Sequence, residues 1–354
     1  MRATSERHDK PTRRTALRTG LAWAISPALG GLARAMEASS ARDRTLVLLH
    51  LSGGNDGLNT LIPYADPLYY ELRPRLSRAA RQAIPVNDRL AFHPALASLV
   101  RLFREGRLAV VQGVGCSHPD YSHVGSCRIW ATGRTDGRSQ RGWWDGVLRR
   151  LGDASEVRVV CAGREMPARM ISAQGVDVRL VESQEGSPTG VNPLPYQPGQ
   201  IEETLARVAD LVTDVRAPAL ILAAVGGFDT HENQLEAHEE VLRRLADGLA
   251  AFQEELERRG VAGRVLLAAW SEFGRRAAEN AAGGTDHGSA GPLFLLGKTV
   301  RGGFYGATPS LDRTDFGNLI PTVDFRTVYA ALASRWLGCP AGATPAVTKS
   351  LRVV

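Results

Sequence analysis

Cysteine is scarce in this 354-residue chain: Cys116, Cys127, Cys161 and Cys339 are the only four, and no two are spaced Cys-x-x-Cys. In a chain this long that excludes a disulfide-stapled scaffold and argues against a thiolate zinc module. No apolar run approaches the roughly 20 residues a spanning helix needs, so no integral membrane segment is expected. Neither Gly-x-Ser-x-Gly nor the phosphate-loop pattern Gly-x-x-x-x-Gly-Lys-Ser/Thr occurs. Serine-hydrolase and nucleoside-triphosphatase readings are left without motif support. Internal repeats and heptad arrays are missing as well, which removes solenoids and coiled coils.

What is present is an ordinary globular composition, 44% apolar and 23% charged, enough for a large core. The net charge of +6 is concentrated at one end. Residues 1–35 hold seven basic side chains (Arg2, Arg7, Lys10, Arg13, Arg14, Arg18, Arg34) against Glu6 and Asp9, so the remainder is near neutral, at about +1. A nucleic-acid partner is therefore not expected. Within that segment Thr12-Arg13-Arg14-Thr15-Ala16-Leu17 precedes a moderately apolar stretch, 19–33, and Ala33-Arg34-Ala35 fits a small-x-small cleavage site. The segment resembles a twin-arginine signal, read by the machinery that exports folded proteins. A basic amphipathic helix or disordered arm is the alternative. Export implies a periplasmic or secreted protein in which residues 36–354 form one domain. Cys116 and Cys127 could bridge there, which spacing alone leaves open.

Short apolar runs alternate with longer helical patterns. Strands are expected at 45–50, 108–111, 157–161, 219–225 and 265–270, unbroken by polar alternation as in strands covered on both faces. Leu235, Leu242, Leu245, Leu249, Phe252 and Leu256 recur at helical spacing until Gly260, and a last helix is expected over 325–337. Strand, long helix, strand in that order predicts an α/β fold with a mostly parallel central sheet flanked by helices. The Pro- and Gly-rich stretch 186–200 reads as a surface excursion.

Polar clusters recur where strands end, which in open α/β sheets is where ligands bind. They are Asn55-Asp56, Asp229-Thr230-His231, Ser271-Glu272 and Asp286-His287. Carboxylates and imidazoles without cysteine suit zinc, manganese or iron. Each piece also has a plain reading: a tight turn at Asn55-Asp56-Gly57, a helix cap from Asp229 to Glu232, turn chemistry at Asp286-His287, an ion pair from Glu272 to Arg275 or Arg276. A second region, Cys116 to His123, follows a strand and opens a helix. Its hydroxyls would lie near a positive helix end, where a nucleophile could receive a phosphoryl group; Ser122 could equally be a helix cap and His123 a surface residue.

Taken in order, Gly53-Gly54-Asn55-Asp56-Gly57-Leu58-Asn59-Thr60, Ser122-His123, Phe228-Asp229-Thr230-His231, Ser271-Glu272-Phe273-Gly274-Arg275 and Gly284-Thr285-Asp286-His287-Gly288 resemble the domain-of-unknown-function family 1501 across residues 44–338. That family is similar to the alkaline phosphatase and sulfatase superfamily. The resemblance implies an alkaline phosphatase-like fold, a centre of one or two divalent ions, zinc or manganese, and a Ser, Thr or modified Cys nucleophile. It makes Asp56, Asp229, His231, Glu272, Asp286 and His287 the metal-ligand candidates. Ser122 is the nucleophile candidate with His123 beside it as a catalytic residue, and Ser117 is second. Two departures go with it: the first acid–His pair is spaced Asp-x-His where the superfamily has Asp-x-x-x-His, and no histidine follows His287. Cys116-Ser117-His118-Pro119 breaks the formylglycine pattern Cys-x-Pro-x-Arg. The expected activity is hydrolysis of a phosphate or sulfate ester, on a small molecule or a polysaccharide. A non-catalytic exported protein binding a cell-surface or polysaccharide partner on the same fold is the alternative.

Overall fold

The apolar runs form the middle of a nine-stranded sheet in the computed structural model, which describes residues 43–136, 141–151, 158–162, 177–181, 197–214, 217–340 and 351–354. In chain order the strands are β1 (Thr45–Leu51), β2 (Leu108–Gly115), β3 (Arg158–Ala162), β4 (Asp177–Val181), β5 (Leu220–Val225), β6 (Val265–Trp270), β7 (Gly291–Leu296), β8 (Gly303–Tyr305) and β9 (Val323–Asp324). In space they run β8-β2-β7-β6-β1-β5-β3-β4, with β9 added to β2. β1 is parallel to β5 on one side and to β6 on the other, with Leu48 opposite both Leu222 and Ala268. Only β7 runs against its neighbours. The mostly parallel sheet read from the sequence is what forms.

Every residue of β1, β5 and β6 is buried because both faces of the sheet are covered. The helices that matter are α1 (Gly57–Thr60), α2 (Ala97–Arg104), α3 (His123–Thr132), α4 (Trp143–Leu151), α5 (Gln200–Thr213), α6 (Gln234–Arg258) and α7 (Phe325–Ala331). Val47, Leu49 and Leu51 point to one face and pack with the apolar stripes of α2, α5 and α6. Leu46 and Leu48 point to the other and meet α3, α4 and α7, with Trp130, Trp144 and Phe325. This is the two-residue alternation of a strand, invisible in an all-apolar run.

Some bounds differ from expectation. β2 continues four residues past Val111 because β9 and β7 pair with Val114, and such distant partners leave no local trace. The last helix becomes a π turn over Leu332–Trp336. Cys116, Cys127 and Cys339 are buried, and Cys116 and Cys127 are not bridged to one another. The expected leader at 1–35 and most of the 186–200 excursion lie outside the described residues. Among the described residues, no helix is long and apolar enough to cross a membrane.

The topology sets where chemistry can collect. β1, β5 and β6 point the same way, so the loops that follow them open at one edge. β7 runs the other way, and the segment preceding it, 283–290, therefore reaches that same edge.

Candidate metal centre

Close backbone approach brings the loops together. Gly53 has φ 125°, and a Cβ there would collide with the backbone of Phe228 and Asp229. Gly284 passes as closely over the backbone of His231. Only glycine permits either contact. Arg275 then ties the loops from inside. Its side chain is fully buried; Nε donates to Gly54 O (2.6 Å), Nη1 to Thr285 O (2.7 Å) and Nη2 to Gly53 O, Phe228 O (3.1 Å) and Asp229 Oδ1 (2.6 Å). A guanidinium presents five donors in a fixed fork, so one residue holds four segments in register.

Onto this frame converge Asp229, His231, His287 and His123. Asp229 Oδ1 lies 2.9 Å from His231 Nε2 and 3.3 Å from His287 Nε2, and the two Nε2 atoms are 2.9 Å apart. Asp229 Oδ2 faces His123 Nε2 at 3.6 Å. One donor atom each from His123, Asp229 and His287 lies within 4.8 Å of the other two. Burial alone would raise the Asp229 carboxyl, but hydrogen bonds from His123, His287 and Arg275 hold it far below the usual carboxylate range. Burial would lower His123, yet its bonds to Asp229 and Glu272 prevail and raise it to about 9. The Nε2 proton so retained is the one a metal ion would displace.

The donor set fits a divalent cation. His287 Nδ1 faces the carbonyl of Tyr121 at 2.8 Å and donates there, so Nε2, 3.3 Å from Asp229, is the ring nitrogen left to meet an ion. Ligand atoms around tetrahedral zinc stand roughly 3.3 Å apart, given bonds of about 2.0–2.1 Å. The triangle of Asp229 Oδ1, His231 Nε2 and His287 Nε2, with sides of 2.9–3.3 Å, is close to that.

The other expected ligands go elsewhere. Glu272 is buried and its oxygens are fully engaged: Oε1 accepts from Gly53 N (2.9 Å) and His123 Nδ1 (2.8 Å), Oε2 from His50 Nε2 (2.9 Å), Gly54 N (3.3 Å) and Ser271 Oγ (3.2 Å). It orients His123 from behind, and it pairs with neither Arg275 nor Arg276, which corrects the ion-pair reading. His50, Cys127 and Glu272 also lie close together, but these five bonds leave the carboxylate no lone pair for an ion. Asp56 is engaged away from the cluster. It is wholly buried, caps α1 by accepting from Leu58 N (3.2 Å) and Asn59 N (3.4 Å), and is paired with Arg73 at 2.6 Å and with Gln234. Asp286 is half exposed and 3.8 Å from the far nitrogen of His231, behind the cluster. The cap expected from Asp229 is also absent: α6 begins after Asn233, and Asp229 serves Arg275.

Ser122 does cap α3, accepting from Gly125 N (3.1 Å), while its hydroxyl is bonded to Asp120. It is exposed and precedes His123, which faces the centre and is no surface bystander. Ser117 is bonded to His118 Nδ1 (3.0 Å). Reading by motif missed Arg73 and His50 as partners, and it assigned Arg275 to Glu272 where the structure pairs it with Asp229. Arg275 closes the motif Ser271-Glu272-Phe273-Gly274-Arg275 and His50 stands at the end of β1; Arg73 has no such signal.

Comparison with known proteins adds the following. The profile of the family described as "Protein of unknown function (DUF1501)" matches residues 155–333, half of the chain. No curated protein matches in sequence. The fold is similar to the lipoteichoic acid synthase LtaP from Listeria monocytogenes (TM-score 0.45, 11% identity, covering 86% of this chain and 74% of that one). It is similar to the C-terminal periplasmic domain of EcEptC from Escherichia coli, solved in complex with Zn (0.46, 12%, 72% of each). It is also similar to a protein in the alkaline phosphatase superfamily from Vibrio parahaemolyticus (0.42, 11%, 74% and 62%). At these identities the likeness is one of fold and says nothing of chemistry.

Proposed function

The chain belongs to the DUF1501 family, and on that premise we propose that it is an exported hydrolase of phosphate or sulfate esters working with one divalent ion, zinc or manganese. The observation that supports this most is the convergence of His123, Asp229 and His287 at the sheet edge, with His231 completing the triangle. When bound, such an ion supplies Lewis-acid chemistry, lowering the pKa of water and neutralising charge on ester oxygens. The chain's own side chains do the positioning. Glu272 holds the Nδ1 proton of His123, the Tyr121 carbonyl holds that of His287, and both rings keep Nε2 directed at Asp229. Arg275 fixes the rotamer of Asp229 and contributes a permanent positive charge. Ser122, at the start of α3 and beside His123, is the proposed acceptor of the transferred group, with Asp120 placed to take its proton.

Elemental analysis of the purified protein, followed by aryl phosphate and aryl sulfate assays, tests the proposal. About one ion per chain with turnover is the expected result; a metal-free, inactive protein would return the non-catalytic alternative. In Ser122→Ala the metal should stay, stability should drop by about 1 kcal/mol for the lost cap, and turnover should fall by at least a hundredfold. Unchanged turnover would reduce Ser122 to a helix cap. Export has its own check. Replacing Arg13 and Arg14 with lysine should hold the precursor in the cytoplasm, and undiminished export would rule out the twin-arginine route.

A further inference from the structure

Among the described residues five large hydrophobic side chains stand exposed, and four of them, Tyr121, Val124, Phe316 and Ile320, lie on two short segments beside the centre. Single exposed apolar residues are normal on a protein surface; a group around a polar pocket marks a binding site. Phe316 is the extreme case, at 88% exposure. Tyr121 (φ 27°) and Phe316 (φ 49°) are also two of the three described non-glycine residues with positive φ. Aromatic residues rarely adopt that backbone, and strain of this kind gathers where ligands are held.

The two segments face each other across a cavity of about 380 Å³ lined by Tyr121, His231, Arg276, Asp286, His287 and Asn318. His231 and His287 are its wall toward the metal centre. Arg276 brings a positive charge, and its Nη2 donates to Phe316 O, so charge and rim are physically joined. The cavity thus holds two imidazoles, the positive charge of Arg276 and the negative charge of Asp286, with Tyr121 in its wall and the exposed Phe316 and Ile320 on either side of Asn318 in the chain.

We infer that the ester taken here is amphiphilic: the phosphate or sulfate monoester of a long-chain aliphatic alcohol, with its head group at Arg276 and the histidines and its chain against Tyr121, Val124, Phe316 and Ile320. This rests on the ester-hydrolase reading above. Aromatic rings alone would suit a sugar as well. Val124, three residues from Tyr121, and Ile320, two from Asn318, are exposed aliphatic side chains next to cavity-lining residues and favour the alkyl chain, since aliphatic surface gains from methylenes leaving water and loses where it covers hydroxyls.

Calorimetric titration of the full chain with methyl phosphate and with n-dodecyl phosphate, kept below its micellar concentration, tests the inference. Dodecyl phosphate should bind at least about 30-fold more tightly, from a few methylenes leaving water. The double variant Phe316→Asn/Ile320→Ser, in which asparagine tolerates the backbone at 316, should lose most of that gain. Methyl phosphate binding and the thermal melt should be unchanged. Equal affinity for the two phosphates, or a gain that survives the double variant, would overturn the inference. So would a phosphorylated oligosaccharide that binds more tightly than dodecyl phosphate. A chain-length preference lost in the double variant, in a protein that takes up no divalent ion, would keep the amphiphile site and sink the hydrolase reading alone.

Discussion

Asp229→Asn should empty the centre. The carboxylate is the one anionic donor among the converging side chains, touching His231 at 2.9 Å, His287 at 3.3 Å and Arg275 at 2.6 Å. An amide keeps the volume and can still accept from Arg275, so the fold should survive, but the negative charge opposite the ion is gone. The fall in metal affinity should exceed the roughly 10–100-fold that loss of an outer-shell partner causes. Glu272→Gln provides that comparison. Glu272 touches none of Asp229, His231 and His287 and acts through His123 and the Gly53–Gly54 backbone, so its loss should stay within the smaller range. Competition with a chelator, read by elemental analysis beside a thermal melt, separates the two. A larger loss in Glu272→Gln than in Asp229→Asn would reverse their roles.

Asp56→Ala should act on stability and hardly on metal content. Asp56 and Arg73 are both wholly buried and 2.6 Å apart, and Asn59 Oδ1, Ala277 O and Arg276 O take the rest of the guanidinium at 2.8–2.9 Å. Removing one member of such a pair leaves a buried charge uncompensated, at a cost of about 3–5 kcal/mol. Around it the network is neutral: burial pushes His238 down to about 3, and its Nε2 bonds Asn55 Oδ1 at 2.9 Å. The sign of the pH effect follows. Burial opposes ionisation of Asp56, but the charge of Arg73 and the hydrogen bonds from Arg73 and Gln234 prevail and lower its pKa in the folded state. Its contribution is therefore complete above the unfolded-chain value of about 3.9 and is lost as pH falls through the folded-state value. In Asp56→Ala the stability-against-pH curve should be lower and flatter across that acid range. A variant as stable as the parent but stripped of metal would restore Asp56 as a ligand.

From residue order alone, the α/β class, the central strands and the long helix Gln234–Arg258 were legible, because an apolar run of strand length and an apolar stripe at helical spacing are local patterns. So was the edge at which polar loops gather, since parallel strands must end together. The division of labour among the acids was not. Asp56, Asp229 and Glu272 read alike, each a carboxylate just after a buried strand. What separates them is a partner 17, 46 or 149 residues away: Arg73 neutralises Asp56, Arg275 aligns Asp229, and His123 together with His50 saturates Glu272. The role of a carboxylate depends on which donors share its cavity and how much water reaches it. Both are settled only when the chain closes on itself, so the sequence could name the candidates and only the tertiary structure could sort the carboxylate facing three histidines from the one that orients a histidine and from the buried ion pair.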